Sequence, residues 1–164
     1  MARIYISIGS NIDRQFHIQA AVSALQQHFG AVQLSSVYES EAVGFSGDAF
    51  YNLVACADTR LPISDCVALF KQIEDSYGRD RSAQKFSGRT LDLDLLTYDD
   101  VVCQQPVELP RAEITENAFV LWPLAELAPD RLHPKIGVSY AELWQQYEKK
   151  QKLWPVPFEW STQQ

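Results

Sequence analysis

Ile4, Ile6 and Ile8 alternate with Tyr5, Ser7 and Gly9, the two-residue period of a half-buried strand, and the run stops at Gly9-Ser10-Asn11. Ile18, Val22, Leu25 and Phe29 follow at spacings of four, three and four, one apolar stripe of a helix that ends at Gly30. Val32, Leu34, Ser36 and Tyr38 alternate again and predict a second strand. Periodicity is then lost through residues 39–48, where two glycines mark a long irregular loop. Residues 50–59 suit a third strand, and Pro62 opens a second helix with Cys66, Phe70, Ile73 and Tyr77 on one face before Gly78. Residues 79–89 are charged and aperiodic until the chain turns apolar at Leu91-Asp92-Leu93-Asp94-Leu95-Leu96, a buried strand. Prolines at 106, 110, 123, 129 and 134 cut the remainder into short pieces. Ser139-Tyr140-Ala141-Glu142 has capping-box spacing at the start of a last helix, and the segment after Lys152 shows no clear period.

This β-α-β, β-α-β order predicts an α+β fold of ferredoxin-like type, a split βαβ sandwich whose mostly antiparallel sheet carries two helices on one face. No internal repeat or flexible linker divides the chain, so residues 1–164 read as one domain, with 153–164 a tail of unassigned role. A chain of this length buries roughly 70% of the surface its unfolded form exposes, enough to hold a core without disulfides or a structural metal.

Fourteen Lys and Arg against 21 Asp and Glu give a net charge of −7, with no basic run, which argues against nucleic-acid and anionic-membrane partners. An anion bound here needs local cations or metal ions. The N-terminus has no signal-peptide apolar stretch and no later window reaches the length of a membrane span, so a cytoplasmic protein is expected. Cys56, Cys66 and Cys103 are odd in number and widely spaced, the pattern of buried small hydrophobes rather than a disulfide framework or zinc knuckle. His17, His28 and His133 are scattered outside any zinc-hydrolase or serine-hydrolase motif.

Asp92 and Asp94 stand two apart on the apolar strand, so their carboxylates leave one face while Leu91, Leu93 and Leu95 enter the other. Like charges this close need a cation between them, and hard oxygen donors suit Mg²⁺, which suits polyphosphate. Arg79, Arg81, Lys85 and Arg89 precede the pair, and guanidinium groups hold phosphate oxygens bidentately. The alternative is a solvent-facing strand beside a solvated loop. Neither a Walker phosphate loop nor a kinase catalytic loop is present, so any nucleotide chemistry follows another design.

Five blocks resemble the 6-hydroxymethyl-7,8-dihydropterin pyrophosphokinase family: Tyr5-Ile6-Ser7-Ile8-Gly9-Ser10-Asn11; Phe50-Tyr51-Asn52; Ile73-Glu74 with Gly78-Arg79-Asp80-Arg81; Arg89-Thr90-Leu91-Asp92-Leu93-Asp94-Leu95-Leu96; and Phe119-Val120-Leu121-Trp122-Pro123-Leu124-Ala125-Glu126-Leu127-Ala128-Pro129. The resemblance implies transfer of the β,γ-diphosphate of ATP to a pterin hydroxymethyl group, with release of AMP, in folate biosynthesis. It implies that Asp92 and Asp94 hold two Mg²⁺ ions, that Asp94 accepts the hydroxymethyl proton, and that Arg79, Arg81 and Arg89 close over the triphosphate. Glu74 corresponds to a residue on the nucleotide side. On the pterin side, Asn52 corresponds to the amide that reads the aminopyrimidinone edge, Phe50 and Phe119 to rings that stack on it, and Ser40 and Val43 to the loop lining the pocket. A monomer acting on small molecules is expected.

The pattern departs from the family at the nucleotide side. The usual Pro-His reads Pro110-Arg111, the arginine six residues later reads Asn117, the Gly-Pro before the core arginine reads Ser87-Gly88, and the loop tryptophan reads Phe86. Arg111 keeps a cation for ATP at the first place. These departures support a second expectation, a pterin-binding paralogue with weak or altered transfer.

Overall fold

The computed structural model describes residues 1–40, 49–78, 91–148 and 151–160. The elements are β1 (Ala2–Ser10), α1 (Arg14–Phe29), β2 (Gln33–Leu34), β3 (Val37–Ser40), β4 (Phe50–Thr59), α2 (Ile63–Ser76), β5 (Asp92–Tyr98), α3 (Glu113–Glu116), α4 (Ala118–Leu127), α5 (Tyr140–Gln146) and β6 (Leu153–Val156). The strands form one sheet in the order β5-β1-β4-β3-β6, with β2 also against β4, and every pairing is antiparallel. This is the expected ferredoxin-like α+β arrangement.

The period-two pattern of the two central strands explains the layers. Ile4, Ile6 and Ile8 of β1 and Leu53, Ala55 and Ala57 of β4 face one side, where Ile18, Val22 and Leu25 of α1 and Cys66, Phe70 and Ile73 of α2 close over them. Each fully buried aliphatic side chain there is worth about 1.5–3 kcal/mol of burial. Tyr5, Val54 and Cys56 point the opposite way and pack with Ile114, Val120, Leu121, Leu124 and Tyr140, contributed by α3, α4 and α5. The two long helices thus share one face, and part of the other is roofed by the short C-terminal helices.

Three segments differ from the expectation. The alternation from Val32 to Tyr38 is not one strand: Leu34 pairs with Ala55 but Tyr38 with Asn52, which leaves one extra residue on the β2–β3 side. Ser35 occupies the break, donating its N–H to the Val54 carbonyl and accepting the Val54 N–H on Oγ, each at 2.9 Å. The slip turns Val37 into the aliphatic core and sends Tyr38 and Ser40 to the opposite face.

Proline did not prevent a helix at 118–127. Pro123 lies inside α4 and withholds an N–H from the Phe119 carbonyl four residues back, but the apolar side chains on either side are buried and hold the turn. The segment after Lys152, without period, forms β6 against β3, with Pro155 opposite Tyr38, on the outermost strand where a missing N–H is tolerated. The predicted last helix does begin at Ser139, whose Oγ accepts the Glu142 N–H at 3.2 Å. No helix among the described residues is long and apolar enough to cross a membrane.

Candidate active site

Strand register builds the site on the face opposite α1 and α2. Gly9 of β1 lies between Asn52 of β4 and Asp92 of β5, and Ser7 lies between Val54 and Asp94. Residues paired across strands share a face, so Asn52, Asp92 and Asp94 all project on one side of three adjacent strands. Phe50, two residues before Asn52, shares that side and starts β4 half-buried. A second bulge keeps this order: Ile6 pairs with Leu95 and Tyr5 with Thr97, so Leu96 is the extra residue, and its side chain joins the cluster on the site face.

Gly9 is required here by space. A Cβ on it would come within 2.8 Å of Asn52 Oδ1, so the amide lies against the bare glycine backbone. Asn52 is 5% exposed, and its Nδ2 donates to Ser40 Oγ at 3.0 Å, the one side-chain hydrogen bond the amide makes among the described residues. A primary amide has two N–H donors and two carbonyl lone pairs, so a donor and an acceptor remain for a flat heterocycle with a complementary edge. Tyr38 neighbours this amide on β3, and its hydroxyl donates to Glu126 Oε1 at 2.5 Å. The same carboxylate takes the Ser36 N–H and hydroxyl on Oε2, at 3.0 and 2.9 Å, and so pins α4 to β3. Burial, then the Glu126 carboxylate, push the Tyr38 phenol well above its ordinary range.

The acidic end is charged and only partly shielded. Burial foremost, then the neighbouring Asp92 carboxylate, push the Asp94 carboxyl up to about 6 against the opposing pull of Arg111. Arg111 Nη2 donates to Asp94 Oδ1 at 2.9 Å, and its backbone N–H donates to the carbonyl of the bulged Leu96 at 3.0 Å. Its Nε is buried with no hydrogen-bond partner among the described residues. Arg111 thus engages one of two like-charged aspartates on this face, and their carboxylates are hard oxygen donors of the kind that suits a divalent cation.

Glu74 was expected beside a nucleotide. The structure places it 4% exposed at the end of α2, its Oε2 accepting the Leu93 N–H at 2.7 Å, between the two aspartates along the chain. It therefore fixes the strand that presents them. Phe119 sits in the first turn of α4, partly buried against the cluster containing Val54 and Leu121. The described residues thus bring together Asp92, Asp94 and Arg111 at one end and Ser40, Asn52 and Phe50 at the other. Val43, Arg79, Arg81 and Arg89, with Phe86 and Ser87-Gly88, lie outside the described residues.

Two contributors were not singled out in the sequence. Gly9 was read as the end of a strand and as part of a resembling block, with no role of its own, although a glycine inside a strand already signals close approach by a neighbour. Glu126 carried no local signal, because its partners are about 90 residues earlier in the chain. Among the described residues no three His, Cys, Asp or Glu side chains gather into a metal cage.

Likeness to solved structures supports the fold. The fold superposes on two crystal structures of Plasmodium falciparum HPPK-DHPS, a triple mutant with pteroate and the wild type, with TM-scores of 0.72 and 0.71 at 12% identity. Both matches cover 88% of this chain, and 43% and 44% of those longer chains. Sequence identifies the family. The model of the 7,8-dihydro-6-hydroxymethylpterin-pyrophosphokinase (HPPK) family matches residues 5–129. The 2-amino-4-hydroxy-6-hydroxymethyldihydropteridine pyrophosphokinase of Aquifex aeolicus is 33% identical over 137 residues, 82% of this chain and 85% of its own. The enzyme of that name from Bacillus subtilis is 36% identical over 129 residues, 75% of this chain and 76% of its own. The chain belongs to the HPPK family.

Proposed function

We propose that this protein transfers diphosphate from ATP to the hydroxymethyl group of 6-hydroxymethyl-7,8-dihydropterin, releasing AMP, as a cytoplasmic single-domain enzyme of folate synthesis. The observation that carries this reading is the row Asn52–Gly9–Asp92 across three strands, which sets a heterocycle-reading amide beside a carboxylate pair. The pterin ring lies along Asn52 and Ser40, stacked by Phe50 and Phe119, with its hydroxymethyl arm toward Asp94. ATP lies beyond the aspartates, its phosphates within reach of Arg111, and Arg79, Arg81 and Arg89 join from the charged segment.

The acid pair fits Mg²⁺: two hard carboxylates on one strand face, one of them raised by burial and then by its neighbour's charge, match an ion that binds one or two carboxylates plus phosphate oxygens. Bound there, two such ions supply charge neutralisation of the triphosphate and acidify the attacking hydroxyl. Asp92 and Asp94 would hold them. The Asp94 carboxylate, whose Oδ1 is held by Arg111 Nη2 at 2.9 Å, takes the hydroxymethyl proton. The diphosphate then passes to the pterin oxygen as the bond from the β-phosphorus to the AMP oxygen breaks, and the negative charge that develops faces arginine.

Incubating the purified protein with ATP, Mg²⁺ and the pterin tests the proposal: AMP forms in step with pyrophosphorylated pterin, and only when all three are present. AMP release independent of pterin, or none at all, overturns it. Asn117 supports the second reading, a pterin binder with weak transfer, because an amide that faces Gln151 stands at the position where the family usually has an arginine. Tight pterin binding without AMP would identify that protein.

A further inference from the structure

The C-terminal segment, beyond the stretch matched by the family model, holds the junction between α3 and α4 from two sides. Asn117 is the one residue between these helices; its backbone is extended (φ −123°, ψ 123°) and its side chain makes no capping bond. The first N–H groups of α4 therefore need an outside acceptor. Gln151 supplies it: Oε1 accepts the Ala118 N–H at 2.7 Å, while Nε2 lies 3.4 Å from Asn117 Oδ1. Across the junction the Tyr147 hydroxyl donates to the Glu116 carbonyl at 2.8 Å.

The turn so tethered carries Phe119, directly after Ala118. It is also short of internal restraint, because Pro123 has no N–H for the Phe119 carbonyl. α4 lies over β4 and β3, the strands of Asn52 and Ser40, so its first turn sets how the Phe119 ring meets whatever sits on that amide.

We propose that Gln151 is a positioning residue for the pterin subsite, acting through the first turn of α4 on Phe119. The inference rests on the pterin reading above. It assigns to the C-terminal segment a share in substrate affinity and none in phosphate handling, since the acid pair lies on β5.

Calorimetric titration with pterin, together with KM values for pterin and for ATP, tests this on Gln151→Ala, Gln151→Met and Gln151→Glu. Met keeps the length and apolar stem without either polar end, so a poorly folding Ala variant does not end the experiment. Loss of a cap of this kind translates to about 3- to 30-fold. Weakening of pterin binding by that factor in the Ala and Met variants, with KM for ATP unchanged and recovery in Gln151→Glu, whose carboxylate still accepts the Ala118 N–H, is the expected result. Equal shifts in both KM values, no shift, or a Glu variant no better than Met overturns the assignment. A wild-type chain that does not bind pterin removes the functional reading itself, and the first isotherm shows it before any variant is compared.

Discussion

The two faces of the sheet are built by different rules. Toward α1 and α2, Ile4, Ile6 and Ile8 face Leu53, Ala55 and Ala57, and all six are buried aliphatic side chains with unbroken alternation in β1 and β4. Toward the site, Tyr5 and Val54 share their strands with Ser7, Gly9 and Asn52, and the flanking strands reach that side only after a one-residue slip at Ser35 or beside one at Leu96. Packing tolerates regular repetition because any aliphatic group of fitting volume will do. Chemistry needs particular groups in particular places, and here the chain obtains them by interrupting its own period.

Substitutions on the two faces should therefore separate turnover from stability. The largest contrast is Asp92→Ala or Asp94→Ala against Ile6→Ala. Either aspartate variant should lose activity on the order of a thousandfold by removing charge from the phosphate site, with thermal unfolding nearly unchanged. Ile6→Ala should lose about 2–5 kcal/mol of stability and retain its kinetics while folded. Paired melting curves and initial rates check both; an aspartate variant that unfolds, or one that stays active, removes the distinction.

Next comes Gly9→Ala, a single methyl on the site face. The added Cβ meets Asn52 Oδ1 at 2.8 Å, so the amide must turn away. Loss of one or two of its hydrogen bonds to ligand should weaken pterin binding by roughly 3- to 100-fold, while ATP binding holds, as competition titration would report.

Ser35→Ala attacks the bulge itself. It strips the Val54 N–H of its acceptor in a buried position and should cost about 1–3 kcal/mol, read from denaturant midpoints. Because that slip aims Ser40 at Asn52, pterin affinity should fall along with stability, which no substitution at Ile6 would reproduce.

The smallest effect is pH-dependent. The folded Asp94 carboxyl, at about 6, sits above its ordinary value of 3.8, so the native state binds this proton more tightly than the unfolded chain. That contribution is complete below about pH 4 and is lost as pH rises through about 6. With its side chain 38% exposed the loss is modest. In chelator, unfolding midpoints should decline across this window. Mg²⁺ should flatten the decline by favouring the carboxylate, and a profile that ignores Mg²⁺ would separate Asp94 from the metal site.

What could be read from the chain follows the same division. The β1 and α1 stripes, the α2 face and the Asp92/Asp94 spacing are local periodic signals, visible within a dozen residues, and they appear where expected. The contact of Gly9 with Asn52 depends on a register between strands some forty residues apart, and no local pattern encodes it. The slip at Ser35 was hidden because Val32, Leu34, Ser36 and Tyr38 alternate well enough to pass for one strand. β6 was hidden by Pro155, and the helix at Phe119 by Pro123, since in both places neighbouring structure outweighs local propensity.

The bond from Leu93 N–H to Glu74 has a consequence outside catalysis. β5 is a terminal strand of the sheet, where an open ladder of donors and acceptors invites a strand from another chain. A buried carboxylate on one of those donors fills the place that a foreign carbonyl would take, and at the opposite end β6 carries Pro155, with no N–H to offer. The acid that fixes the aspartate strand thus also guards an end of the sheet against templated self-association.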